Sequence, residues 1–181
     1  MRLLLHICCG PCSAFPLTYL REHSVEVTGF FYNPNIHPYK EFRKRLETAR
    51  EFARRSALEL IVDDRYTLEE FLSNALTAGK GRCSMCYELR LRRTAQYAKE
   101  YGFDCFSTTL LVSPYQQHDQ IKNVCVKVAR EEGISFSYYD FRPGWQQGVQ
   151  ISKDMELYRQ PYCGCIFSEK ERYMKKRSVN R

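Results

Sequence analysis

Five short apolar or β-branched runs, separated by helix-length amphipathic stretches, restrict this chain to very few folds. The runs are Arg2–Ile7, Val25–Tyr32, Leu58–Val62, Cys105–Leu111 and Ser135–Phe141, and runs of that length bounded by turn residues read as strands. Pro11 and Ser13 open a helix that reaches Glu22, with Ser13 as a candidate cap. Phe42, Leu46, Ala49 and Ala53 recur at helical spacing in a second helix, and a third runs from Cys83 to Tyr101. Ile121, Val124, Cys125, Val128 and Ala129 mark the apolar face of a fourth, ended by Gly133. This alternation predicts an α/β chain: a single three-layer Rossmann-like domain with a mostly parallel sheet of about five strands and helices on both faces. Tyr66–Gly81 is expected as a small helical insertion. The domain is expected to span residues 1–174, with residues 175–181 as a basic, mobile tail.

Seven of the nine cysteines stand in three clusters: Cys8, Cys9 and Cys12; Cys83 and Cys86; Cys163 and Cys165. Dense disulfides belong to small secreted domains. Here Met1–Ile7 is too short for a signal h-region, and no stretch reaches the roughly 18 apolar residues of a membrane span. A chain of 181 residues with 44% hydrophobic content can bury a core without covalent staples. We therefore expect a cytoplasmic protein without membrane contact, whose thiols bind metal or exchange electrons.

Position gives the first cluster its chemistry. Cys8 and Cys9 follow the first strand, and Gly10-Pro11-Cys12 turns into the first helix. Ligands of open α/β sheets bind at the carboxyl ends of strands beside helix N-termini, where the dipole favours thiolate. Cys83 and Cys86, two residues apart, can reach one centre; with two thiols of the first cluster they make a four-thiolate site, suited to zinc or to an iron–sulfur cluster. The one-residue gap of Cys163-Gly164-Cys165 allows a strained, reducible bridge, so we read a redox-active dithiol, with two further metal ligands as the alternative. Cys12 could replace a ligand, bind a second metal or act on substrate. Cys105 and Cys125 sit in apolar patterns and read as core. His6 reads as a core histidine, while His37 and the pair Asp63 and Asp64 fall at the expected site edge with either turn-forming or ligand roles.

The formal charge of +7, with 13 tyrosines, points to an acidic partner with stackable faces, such as unpaired nucleic acid. Basic residues gather in Lys40–Arg55, at Arg90, Arg92 and Arg93, and in the tail.

With these residues in view, the chain resembles the cobalamin-independent epoxyqueuosine reductase family, QueH. The resemblance rests on His6–Ser13 (HICCGPCS), Phe31–Pro38 (FYNPNIHP), Arg82–Arg90 (RCSMCYELR), Thr108–Tyr115 (TTLLVSPY), Asp140–Arg142 (DFR) and Arg159–Cys165 (RQPYCGC). It implies an oxidoreductase that reduces the epoxide of epoxyqueuosine at the wobble position of a tRNA anticodon, the last step of queuosine synthesis. It further implies a [4Fe-4S] cluster on Cys8, Cys9, Cys83 and Cys86, and a redox-active disulfide between Cys163 and Cys165. Cys12 is the first candidate for an additional iron or other metal ion, which places Cys12, Cys163 and Cys165 among the catalytic candidates. The reaction needs an electron donor that the residues do not identify. Tyr87, Tyr115 and Asp140 are candidate proton donors; Arg82, Arg90 and Arg142 are candidate tRNA contacts. The competing reading is a zinc-structured nucleic-acid-binding module without catalysis.

Overall fold

The computed structural model describes residues 1–174; the basic tail 175–181 lies outside the described residues. In chain order the elements are β1 (Arg2–His6), α1 (Gly10–Glu22), β2 (Glu26–Tyr32), α2 (Tyr39–Arg55), β3 (Leu60–Asp63) and α3 (Leu68–Ala78). They continue with α4 (Arg82–Glu100), β4 (Cys105–Thr108), α5 (His118–Glu132), β5 (Ser135–Phe136), α6 (Trp145–Asp154) and α7 (Ile166–Tyr173). The five strands form one sheet in the order β3-β2-β1-β4-β5, with every pair parallel. Helices α1, α2 and α6 pack on one face and α3, α4 and α5 on the other. Leu3, Leu4 and Leu5 of β1 are fully buried whichever way they point. That is what a central parallel strand covered on both faces requires.

Two expected strands end early. The apolar run from Cys105 leaves the sheet after Thr108, whose hydroxyl accepts the Leu110 N–H at 3.1 Å and turns the chain into a short 3₁₀ segment, Thr109–Val112. Leu110, Leu111 and Val112 stay buried in that turn, so their hydrophobicity reports burial rather than pairing. The run from Ser135 pairs only at Ser135 and Phe136, against Cys105 and Phe106 of its one neighbour, β4. Helices α6 and α7 add to the expected set, and α6 closes over α1.

The start of α1 also differs from expectation. Cys9, not Ser13, is the capping residue: its Sγ accepts the Cys12 N–H at 3.4 Å, while the Ser13 hydroxyl donates back to the Cys9 carbonyl at 2.8 Å. Gly10 lets this turn approach α2. A Cβ there would stand 2.9 Å from the Thr48 carbonyl oxygen, which is helix backbone and cannot swing aside. Gly10→Ala is therefore expected to destabilise the fold by about 1–3 kcal/mol, the usual cost of overpacking. Urea denaturation will measure it, and an unchanged midpoint would show that the two helices can separate freely.

Candidate active site

Strand order reverses beside β1: the chain runs outward to β2 on one side and to β4 on the other. The crevice between the carboxyl ends of β1 and β4 is the place where an open α/β sheet binds its ligand. Cys8 and Cys9 follow β1 into that crevice, and Thr109 follows β4. The Thr109 hydroxyl accepts the Cys8 N–H at 3.1 Å and donates to the Cys8 Sγ at 3.3 Å, tying the two strand ends together. The Sγ atoms of Cys8, Cys9 and Cys12 all lie within 4.8 Å of one another, so Cys12 shares the first cluster's site. The Gln160 amide donates to the Cys9 Sγ at 3.0 Å and lies 3.6 Å from the Cys12 Sγ.

These three sulfurs do not titrate alike. Hydrogen bonding from the Cys12 and Cys9 thiols holds the Cys8 thiol well below its ordinary value, against its burial, with Thr109 adding to the effect. Burial pushes the Cys9 thiol up, and donation to Cys8 and Cys9 keeps the Cys12 proton in place. The group therefore concentrates its negative charge on Cys8 and shares it through two S–H donors. A sulfur trio at a helix N-terminus fits a soft cation or an anionic metal–sulfur cluster.

Cys83 and Cys86 occupy the opening turns of α4, Cys83 half-buried and Cys86 buried. Burial raises both thiols, Cys86 up to about 12, and the charges of Cys163 and Cys165 raise them further. The third cluster thus faces the second. Cys163 is exposed, Cys165 is half-buried against Cys86, Phe71 and Phe167, and both are free thiols. A relay leads to Cys163: the Tyr87 hydroxyl donates to the Gln116 side-chain oxygen at 2.7 Å, and the Gln116 amide donates to the Cys163 Sγ at 3.2 Å.

The loop carrying the dithiol is held from both sides. Buried Arg45 on α2 donates to the carbonyls of Cys163 at 2.9 Å and Tyr162 at 3.0 Å, and to Glu41 at 2.7 Å. His37 accepts the Ile166 N–H on Nδ1 and meets the Pro34 carbonyl through Nε2 at 3.1 Å, while its own N–H reaches the Gly164 carbonyl at 2.9 Å. Gly164 sits at φ +151° with Asn35 and Arg45 close on the side a Cβ would fill. His37 is therefore a structural tie, and its imidazole is kept neutral by burial.

Both thiol regions open into one cleft of about 700 Å³, lined by Cys8, Cys12 and Cys163 together with Asn33, Asn35 and Arg90. Its mouth carries Tyr115, 85% exposed, set edge-on to Trp145 at 5.9 Å, with exposed Arg159 and Arg172 on the rim. His6 is a satisfied core histidine, bonded to Thr108 at 3.0 Å and the Tyr32 carbonyl at 3.2 Å and pushed down to about 4 by burial and by Arg90. Asp63 is engaged by Arg65 and Arg93, and Asp140 by Arg142, which leaves neither carboxylate facing the thiols alone. Tyr87 is buried beside them, whereas Tyr115 belongs to the mouth. Arg82 pairs with Glu171. Arg90 is 2% exposed and belongs to the cleft wall rather than to the open surface that its place in a basic run suggests. Cys105 and Cys125 are buried core residues, as read.

Sequence reading passed over Arg45, Gln116, Gln160 and Thr109. Arg45 gave a signal, interrupting the apolar stripe of α2 between Phe42 and Leu46, and Thr109 and Gln160 lie inside the TTLLVSPY and RQPYCGC motifs without a role assigned to them.

Comparison with known proteins agrees with this geometry. The family model described as epoxyqueuosine reductase QueH matches residues 3–171. The protein of that name from Dehalococcoides mccartyi is 40% identical over 177 residues, covering 98% of this chain and 97% of its own. The one from Thermotoga maritima is 36% identical over 189 residues, covering 99% and 96%. The one from Haemophilus influenzae is 36% identical over 180 residues, covering 92% of this chain and 71% of its own.

Proposed function

The chain belongs to the epoxyqueuosine reductase QueH family and is an oxidoreductase that reduces epoxyqueuosine; we propose that it does so on tRNA, in the cleft between the thiol groups, with a [4Fe-4S] cluster and the Cys163–Cys165 dithiol. The observation that carries this reading is the opening of Cys8, Cys12 and Cys163 into one cleft at the sheet's switch point.

Removing an epoxide oxygen as water consumes two electrons and two protons and leaves the alkene. Closing a disulfide between Cys163 and Cys165 releases the same two electrons and two protons, so the pair matches one turnover. Cys8, Cys9, Cys83 and Cys86 would hold the cluster, and the donor set fits: thiols alone, reached from the N-termini of α1 and α4, with amide and hydroxyl donors on the sulfurs. Such a cluster, when bound, passes electrons singly at a potential set by its surroundings. Cys12 would hold an additional metal ion or meet the substrate.

The chain's other residues bind and orient the reacting groups. Tyr115 and Trp145 offer faces for unpaired bases of an anticodon loop, and Arg159 and Arg172 offer charge to its phosphates. Tyr87 fixes the orientation of the Gln116 amide, which in turn donates a hydrogen bond to the Cys163 sulfur. No helix among the described residues is long and apolar enough to cross a membrane.

The test is an anaerobic incubation of the purified protein with a reductant and an anticodon stem-loop carrying epoxyqueuosine. Mass analysis of the released nucleoside is expected to show loss of one oxygen, and the protein to carry iron and sulfide. Colourless protein with stoichiometric zinc and no deoxygenation would favour the zinc-structured binding module instead.

A further inference from the structure

Arg90 stands one helical turn after Cys86 on α4, and only 2% of it is exposed. A buried guanidinium normally meets a carboxylate, because an unpaired charge in the interior costs several kcal/mol. Among the described residues Arg90 meets none: its Nε bonds the Cys86 carbonyl at 3.2 Å, and its Nη2, fully enclosed, has no partner. Its cation lies over the Tyr87 ring at 5.7 Å, a weak partner for a full charge. A guanidinium keeps its proton in proteins, and this one shares the wall of the cleft with Cys8, Cys12 and Cys163 while bonding the Cys86 carbonyl. Arg90 thus belongs to all three thiol clusters at once and forms part of the cleft wall.

We propose that Arg90 is the fixed counter-cation of the thiol site, a positioning residue that raises the reduction potential of the centre the cysteines hold. The inference rests on the cluster reading above. Reduction adds negative charge to a thiolate-ligated centre, and an enclosed positive charge stabilises the reduced state more than the oxidised one. A buried charge is also screened little by salt. The unpartnered Nη2 is the donor left for a sulfur of the occupant. No other arginine among the described residues combines full burial, proximity to the three clusters and a free N–H pair: Arg45 is committed to Glu41 and two carbonyls, and Arg92 to three glutamates.

The experiment is a reductive titration of anaerobically purified full-length protein, wild type, Arg90→Gln and Arg90→Lys, with iron and sulfide counted for each. Arg90→Gln is expected to keep its iron and to show a more negative midpoint potential, by the same amount at low and high salt. Arg90→Lys keeps the charge and is expected to stay near the wild type; if the glutamine variant fails to fold, Arg90→Met, which also removes the charge, takes its place. An unshifted potential in Arg90→Gln, or a fall in Arg90→Lys as large as that in the glutamine variant, overturns the counter-cation role. Weakened tRNA binding with an unshifted potential overturns it too, in favour of a substrate contact. A wild-type protein without a redox-active cluster overturns the cluster reading itself, and the inference with it.

Discussion

Replacing Arg45 by methionine is expected to destabilise the protein by about 3–5 kcal/mol, the cost of breaking a buried charge pair from one side, and to release the Cys163–Cys165 loop from α2. The guanidinium is 2% exposed and its partner Glu41 12%. One side chain satisfies a carboxylate and two carbonyls in a single fork, and the Tyr158 hydroxyl donates to the same carboxylate at 2.8 Å. Methionine fills much of the volume but leaves Glu41 charged and enclosed, with the Tyr162 and Cys163 carbonyls facing apolar surface. Arg45→Lys restores the charge without the fork, so it is expected to recover part of the stability and less of the loop order. Urea denaturation gives the first quantity, and the alkylation rate of Cys163 in the folded protein gives the second. A methionine variant within about 1 kcal/mol of wild type, with alkylation unchanged, would mean that His37 alone holds the loop; a single hydrogen bond contributes about that much.

The same residue shows where sequence reading stops. Alternating runs placed all five strands and the helices α1, α2, α4 and α5, because each buries a stripe large enough to print its period. Leu3–Leu5 flanked by Cys8 and Cys9 was enough to put thiols at a strand's carboxyl end. Strand ends were not legible at Thr108 and Phe136, since a buried turn and a buried strand are equally apolar. The spacing places Cys12 at the mouth of α1, three residues past Cys9, but leaves its role open between ligand, second-metal site and substrate contact. Gln116 and Gln160 come from irregular segments that carry no period. Their roles depend on how the segments after β4 and α6 fold back over the crevice, which is long-range geometry. Arg90 misled for a related reason: in a basic run it reads as surface charge, and only packing shows that α4 turns it inward while Arg92 and Arg93 stay outside.

Two serine substitutions are expected to separate the thiols by task, with effects as large as the assay allows. Cys83→Ser should lose most of the bound iron, and Cys163→Ser should keep its iron and fall to background turnover. Cys163 is the exposed member of the dithiol, and it stands in the cleft with Gln116 as its hydrogen-bond donor. Serine accepts that same bond in nearly the same volume, so the loop and its anchors at Arg45 and His37 remain, and only the sulfur's redox chemistry is removed. Without it the two electrons and two protons of one turnover have no dithiol to come from. Cys83 differs in kind: it is half-buried on a helix start, beside Cys86, where a hydroxyl is a poor ligand for iron. Iron per chain and single-turnover deoxygenation, measured on both variants, decide between the assignments. If Cys163→Ser also loses its iron, the third cluster ligates rather than exchanges, and Cys12, already within 4.8 Å of Cys8 and Cys9, becomes the thiol to test as the reacting one.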